Sequence, residues 1–323
     1  MQHRRAIVPK ELERVVSDIS AEISSSEDWG KPTRQIDALA DIDTRQFGIA
    51  ILTRDGDLVC GGDADTPFSI QSISKVFSLE LVLEARGDEL WDRVGRDPSG
   101  DPFNSVIDLE RQEGHPRNPF INAGALIVVD MLLDTLEPDE EVQTVIQFVE
   151  RLLDGDSFSL NEEVAKSDED AGSLNRAILN ISQHFGNVRN DIDKIMKAYV
   201  RQCAIELSCR QLARVGRFLM LEGFDEASKP DLERARRARR ILSLMMTSGL
   251  YDGAGDFAYR VGLPAKSGIG GGILAIAPNT ASIAVWSPGL DESGNSKLGT
   301  LALEMLTDRL DWSSFGKIKT LQE

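Results

Sequence analysis

The sequence predicts an α+β fold: an antiparallel sheet flanked by helices, built from both ends of the chain, with an all-helical domain inserted between. Three stretches carry the prediction. Residues 47–62 read FGIAILTRDGDLVCGG, two β-rich runs separated by Asp55-Gly56, a strong hairpin signal. Strand character returns in GGILAIAPN from Gly271 and ASIAVWSP from Ala281, joined through Pro278-Asn279. Between these hairpins helical periodicity dominates for about 175 residues after Ser72.

The individual elements follow in order. From Pro9, the apolar residues Leu12, Val15, Val16, Ile19 and Ile23 form one stripe of an amphipathic helix with proline at its start. After the first hairpin, FSIQSISKVF at 68–77 turns from strand-like character into an apolar, helix-compatible run. In the middle region Val142, Val145, Ile146, Val149, Leu152 and Leu153 give the clearest stripe, with Gly155 as its stop. Residues 228–240, SKPDLERARRARR, hold five arginines and read as a solvated helix face after a loop, the other reading being a nucleic-acid or partner patch. A last helix carries Leu298, Leu301, Ala302 and Met305 on one face. The expected division is a sheet domain of residues 1–71 plus 247–323 and a helical domain of 72–246, with the active site in the cleft between them.

Composition narrows the function. The 323 residues are 41% hydrophobic and 28% charged, ordinary for a folded globular chain. A formal charge of −17 opposes a general nucleic-acid or anionic-membrane surface role. Three cysteines (Cys60, Cys203, Cys209) without a C-x-x-C pair offer neither a disulfide framework nor zinc-ligand spacing, and fit a reduced cytoplasm. His3, His115 and His184 share no metal-ligand spacing. The N-terminus lacks a signal-peptide core, and no run approaches the ~18–20 apolar residues that span a bilayer.

The chemistry starts at Ser72 and Lys75. A spacing of three on a helix brings both side chains to one face, their Cβ atoms about 5–6 Å apart. If Ser72 opens the helix, its positive end and an apolar setting both disfavour a protonated lysine, which can then take the serine proton. The spacing is not specific by itself, since Ser314 and Lys317 repeat it. Lys266-Ser267-Gly268, within the glycine-rich stretch 249–273, reads either as a turn or as the lysine-small-glycine strand beside an acyltransferase cleft. Asn122, in the small-residue run Asn-Ala-Gly-Ala, is either a helix cap or a ligand donor at close approach.

With FSIQSISKVF, NPFINAGAL, GLYDGAGDFAYRVGLPAKSG and GGILAIAPN in this order, the chain resembles the serine-dependent glutaminases, relatives of β-lactamases and penicillin-binding proteins, from about Gly30 to Met305. The resemblance implies a serine β-lactamase-like fold and hydrolysis of L-glutamine to L-glutamate and ammonia, with no metal or organic cofactor. By position it makes Ser72 the nucleophile, Lys75 its base and Tyr251 a proton relay to the leaving ammonia. It places backbone N–H groups of Ser72 and Ile269 in an oxyanion hole, and Asn122, Asp168, Asn175 and Tyr199 on the α-amino and α-carboxylate ends of the substrate. It further implies a cytoplasmic homodimer or homotetramer. Asp168 stands where the family carries glutamate, Gln35 where it carries tyrosine, and Leu174 where it carries arginine. Asp168 and Gln35 motivate the alternative of another amide substrate, and a non-catalytic ligand-binding role is a third reading, which intact Ser72, Lys75, Tyr251 and Lys266 oppose.

Overall fold

A proline suits the first turn of a helix, where its fixed φ is already helical and its missing N–H leaves no bond unmade. The first helix, α1 (Pro9–Ser24), starts on one and buries Leu12, Val15, Val16, Ile19 and Ile23, as the stripe requires. The computed structural model describes residues 9–98, 106–135, 144–220 and 231–316. The first hairpin is β1 (Gly48–Thr53) and β2 (Leu58–Gly62), with Ala50 opposite Cys60 and Gly56 at φ +92° in the turn. Then β3 (Phe68–Ser69) leads through a 3₁₀ turn into α2 (Ser74–Arg86). The helical run continues with α3 (Val106–Arg111), α4 (Asn122–Leu133) and α5 (Thr144–Leu153). It passes β4 (Ser159–Leu160), α6 (Glu162–Asp170), α7 (Ser173–His184) and α8 (Ile192–Cys203). After β5 (Ile205–Leu207) come α9 (Cys209–Gly216) and α10 (Leu232–Ser248). Asn161, Asp191, Ser208 and Asp231 start α6, α8, α9 and α10 by accepting first-turn N–H bonds. The chain then returns to the sheet through α11 (Ala254–Arg260), β6 (Ala265–Ser267), β7 (Gly272–Ala277), β8 (Ala281–Trp286) and α12 (Lys297–Leu310).

The main sheet is antiparallel, in the order β2-β1-β8-β7-β6, so strands from the two ends of the chain lie side by side and join where β1 pairs with β8. Strand side chains alternate between faces, and both faces here are apolar. Ile49, Ile51, Ile273, Ala275, Ile283 and Val285 pack under α1 and α12. Ala50, Leu52, Leu274, Ile276, Ala284 and Trp286 face the helical core, against which α9 lies directly on β1 and β8. Gly216 permits that approach, because a Cβ there would sit 2.5 Å from a Leu274 methyl. A second, short sheet in the order β3-β5-β4 fixes the chain just ahead of Ser72.

Several local expectations shift. On α12 the most buried face is Leu298, Ala302, Leu303 and Leu306, with Leu301 and Met305 on its flank. The arginines of α10 are not simply solvated: Arg237 bonds buried Glu80 at 2.9 Å and Glu84 at 3.5 Å on α2, and Arg240 bonds Asp88 at 2.6 Å. Arg236, Arg239 and Arg240 are exposed, as a solvated face would have them. On α5, Val145, Ile146, Val149 and Leu153 are buried as expected, and Phe148 joins them. His3, Val142, Ser228, Lys229, Pro230 and Lys317 lie outside the described residues. No described helix is long and apolar enough to cross a membrane.

Candidate active site

The α-helix starts at Ser74, two residues later than expected, and Ser72 occupies the 3₁₀ turn Gln71–Ile73 before it. Gln71 holds φ +49°, a left-handed conformation that a residue with a Cβ keeps only when its surroundings impose it. Those surroundings are specific. The Gln71 side chain donates to Ser69 Oγ at 2.8 Å, Ser69 donates to the Cys203 carbonyl at 2.9 Å, and the Ile70 N–H donates to the Ile205 carbonyl at 2.9 Å. Lys75 follows in the first turn of α2, 1% exposed. Its Nζ donates to Asn122 Oδ1 at 2.7 Å and to the Phe120 carbonyl at 3.3 Å, and lies 5.9 Å from the Tyr199 ring centre. Burial lowers its pKa to about 8, against the opposing influence of Cys203 and Asp168.

Helices α4, α6, α7 and α8 supply one side of the site. Asn122 is the first residue of α4 and does not cap it. Its Nδ2 donates to Asn175 Oδ1 on α7 at 3.0 Å, and its Oδ1 also accepts from the Tyr199 hydroxyl on α8 at 3.5 Å. The helix start is organised instead by buried Asn118, whose Oδ1 accepts from the N–H groups of Phe120 at 3.0 Å and Ile121 at 3.1 Å. Gly124 lets that turn fold back, since a Cβ there would run into the Asn118 carbonyl. Burial raises the Tyr199 hydroxyl well above its ordinary pKa. Burial likewise takes the Cys203 thiol to about 12, and its Sγ lies 3.8 Å from Ser74 Oγ. Asp168, in the last turn of α6, has a carboxyl raised to about 6 by burial and pulled back by the Lys75 charge. Glu169 is exposed on another face of α6. Gln35 is exposed, and so is Leu174, at 39%.

The other side comes from the returning sheet. Tyr251 has φ +49°, and its hydroxyl oxygen is buried although the residue as a whole is only half-buried. Burial pushes the phenol up to about 12, while the hydroxyls of Ser72 and Ser267 act on it in the opposite sense. Lys266 on β6 is fully buried, donates to the Ser267 carbonyl at 2.7 Å and sits 4.6 Å over the Tyr251 ring centre. Burial first, then the Lys75 charge, holds its pKa well below that of an ordinary lysine. Gly268 and Gly270 flank Ile269, and a Cβ at either would collide with the backbone carbonyl of Ile70 or Ser69. The turn between β6 and β7 therefore seats directly on the loop that carries Ser72. The Ile269 side chain packs against Ile36, Leu39, Val164, Ala165 and Ala204.

Ser72, Lys75, Asn122, Asp168, Asn175, Tyr199, Tyr251 and Ile269 thus converge, from parts of the chain far apart in sequence. Asn118, Cys203 and Asn295 (whose Oδ1 accepts from Ser267 at 2.7 Å) also shape the site and had no local signal to mark them. Among the described residues no group of three or more His, Cys, Asp or Glu side chains could hold a metal ion. A buried hydroxyl three residues before a buried amine of lowered pKa suits nucleophilic acyl transfer.

The profile of the family described as Glutaminase matches residues 30–315. A glutaminase of Methylobacterium radiotolerans is 51% identical over 306 residues, covering 95% of this chain and 99% of that protein. Among solved structures, the probable glutaminase ybaS superposes with a TM-score of 0.87 at 35% identity, covering 96% of this chain and 99% of that one. Mglu in its glutamate form gives a TM-score of 0.83 at 32% identity, covering 96% of this chain and 70% of that one. The sheet flanked by helices is accordingly the β-lactamase-like fold, and the chain belongs to the glutaminase family.

Proposed function

We propose that this chain is a glutaminase that hydrolyses L-glutamine to L-glutamate and ammonia through a glutamyl ester on Ser72. The observation that carries the reading is Lys75, buried, with a pKa near 8, three residues after Ser72 and bonded to Asn122. In the proposed course Lys75 takes the Ser72 proton as Oγ attacks the side-chain carboxamide carbon. The developing oxyanion is met by the N–H groups of Ser72 and Ile269. The tetrahedral species collapses, the C–N bond breaks, and the proton held by Lys75 reaches the departing nitrogen by way of Tyr251, giving ammonia and the ester. Water then attacks the ester, giving its proton to Lys75, and collapse returns that proton to Ser72 as glutamate leaves.

Asn122, Asn175 and Tyr199 receive the α-carboxylate and α-amino ends, with Asp168 opposite the ammonium. Hydrogen bonds linking three of them support this assignment. The joining of early and late strands at β1 and β8, and the helical run between them in sequence, support a division into 1–71 plus 247–323 and 72–246. Free Cys60, Cys203 and Cys209 and the family resemblance support a cytoplasmic location, and the resemblance supports a homodimer or homotetramer, which light scattering would read directly.

The test is ammonia release from L-glutamine, L-asparagine and D-glutamine, beside a Ser72→Ala variant. Turnover of L-glutamine alone, lost in the variant, is expected. Turnover of another amide in preference would favour the second reading, in which the shorter arm of Asp168 has changed the specificity. No release from any of them would leave the mechanism without its substrate.

A further inference from the structure

Asn295 lies in the turn between β8 and α12, 2% exposed, and its amide joins two segments of the site. Nδ2 donates to the Leu250 carbonyl at 3.1 Å, and Oδ1 accepts from Ser267 Oγ at 2.7 Å. Chemistry fixes which way round the amide sits. A backbone carbonyl can only accept, so the nitrogen must face Leu250 and the oxygen must face Ser267. The one Ser267 proton is then directed at Asn295 rather than at the Gly249 carbonyl, which lies 3.5 Å away. Leu250 is the residue immediately before Tyr251, whose left-handed backbone needs support from outside its own segment.

Asn295 is itself firmly held. Its N–H donates to Asp291 Oδ1 at 2.9 Å, and its carbonyl accepts from the Asp291 N–H at 2.8 Å. The next residue, Ser296, caps α12 and donates to the Ser287 carbonyl at 2.7 Å. Gly253 packs over the amide, since a Cβ there would lie 2.8 Å from Asn295 Nδ2. None of these partners belongs to the helical side of the site.

We infer that Asn295 is a positioning residue for Tyr251: it clamps the Leu250 carbonyl to the Ser267 hydroxyl and so aims the phenol at Ser72. The inference rests on the proton-relay role proposed for Tyr251, and a double-mutant cycle separates the two. Tyr251→Phe, Asn295→Ala and the double variant are compared for kcat and KM with L-glutamine. Asn295→Ala is expected to lower kcat about 10- to 100-fold with KM changed less than about threefold, because misplacement of a reacting group acts on the chemical step. In the Tyr251→Phe background, which has no hydroxyl to aim, the further loss should shrink to less than about threefold.

An equal loss in both backgrounds overturns the inference and leaves Tyr251's role standing. A Tyr251→Phe variant with unchanged kcat overturns both. Asn295→Leu keeps the size of the side chain without adding a charge and removes both the donor to Leu250 and the acceptor for Ser267. It replaces alanine in the cycle if that variant does not fold, with the same outcomes.

Discussion

On the helical side of the site, Lys75, Asn122, Asn175 and Tyr199 hold one another by side-chain hydrogen bonds across four helices. On the sheet side, the groups are placed mainly by backbone. Tyr251 is left-handed, Gly268 and Gly270 allow close approach to Ile70 and Ser69, and the Ile269 amide is carried by the resulting turn. The difference matters because the two kinds of support fail differently. A side-chain network can lose one member and leave the rest in place, so damage there should fall on substrate binding. A backbone seat moves as a unit, so damage there should fall on the chemical step.

The largest expected effect removes the group on which both sides converge: Lys75→Ala should lower kcat by about 10³- to 10⁴-fold, followed by ammonia release. Next, Gly268→Ala breaks the sheet side, lowering kcat by about 100-fold and stability by about 1–3 kcal/mol, the latter measured by urea unfolding. Asn175→Ala breaks the helical side and should raise KM about 10- to 100-fold with kcat within about threefold. If both variants changed the same constant, the contrast between the two sides would be lost.

A pH profile sharpens the picture. Lys75 must be neutral to act as base and Asp168 must be ionised to hold an ammonium, so kcat/KM should rise with pH through about 6 and again through about 8. Asp168→Asn should weaken binding, erase the lower step and shift the upper one to lower pH, because the Asp168 charge holds the Lys75 pKa up. The smallest effect is reserved for the surface of the helical side: Leu174→Arg, at an exposed position, should leave kcat within about twofold and stability within about 0.5 kcal/mol.

The α1 stripe and both hairpins were legible because their signals are local: a period of 3.6, a period of 2, and Asp-Gly or Pro-Asn at the turns. The Ser72/Lys75 spacing was legible too, but not its chemistry, because the shifted pKa of Lys75 comes from burial by distant segments. Asn122 looked as much like a cap as a ligand donor, and the partners that draw its side chain away from the helix start lie on α2 and α7. No local rule puts a tyrosine in a left-handed conformation, so the geometry of Tyr251 could be known only once β6 and Asn295 were in view. The reading of α10 as a solvated face held for exposed Arg236, Arg239 and Arg240 and missed Arg237, whose buried partner Glu80 lies on α2.

The pairing of β1 with β8, which sets Gly48 against Trp286, also constrains how the molecule is made. A ribosome delivers the first hairpin long before its central neighbour exists, and until then Ile49 and Ile51 sit on a strand with an open edge. That interval is when a nascent chain is most prone to pair wrongly or to need a chaperone. The turn bearing Ile269 likewise emerges late and cannot seat on the Ser72 loop until β7 and β8 have joined β1. Glutamine hydrolysis would therefore begin only after β8 has been made and paired, and a chain that stops short of β8 would release no ammonia.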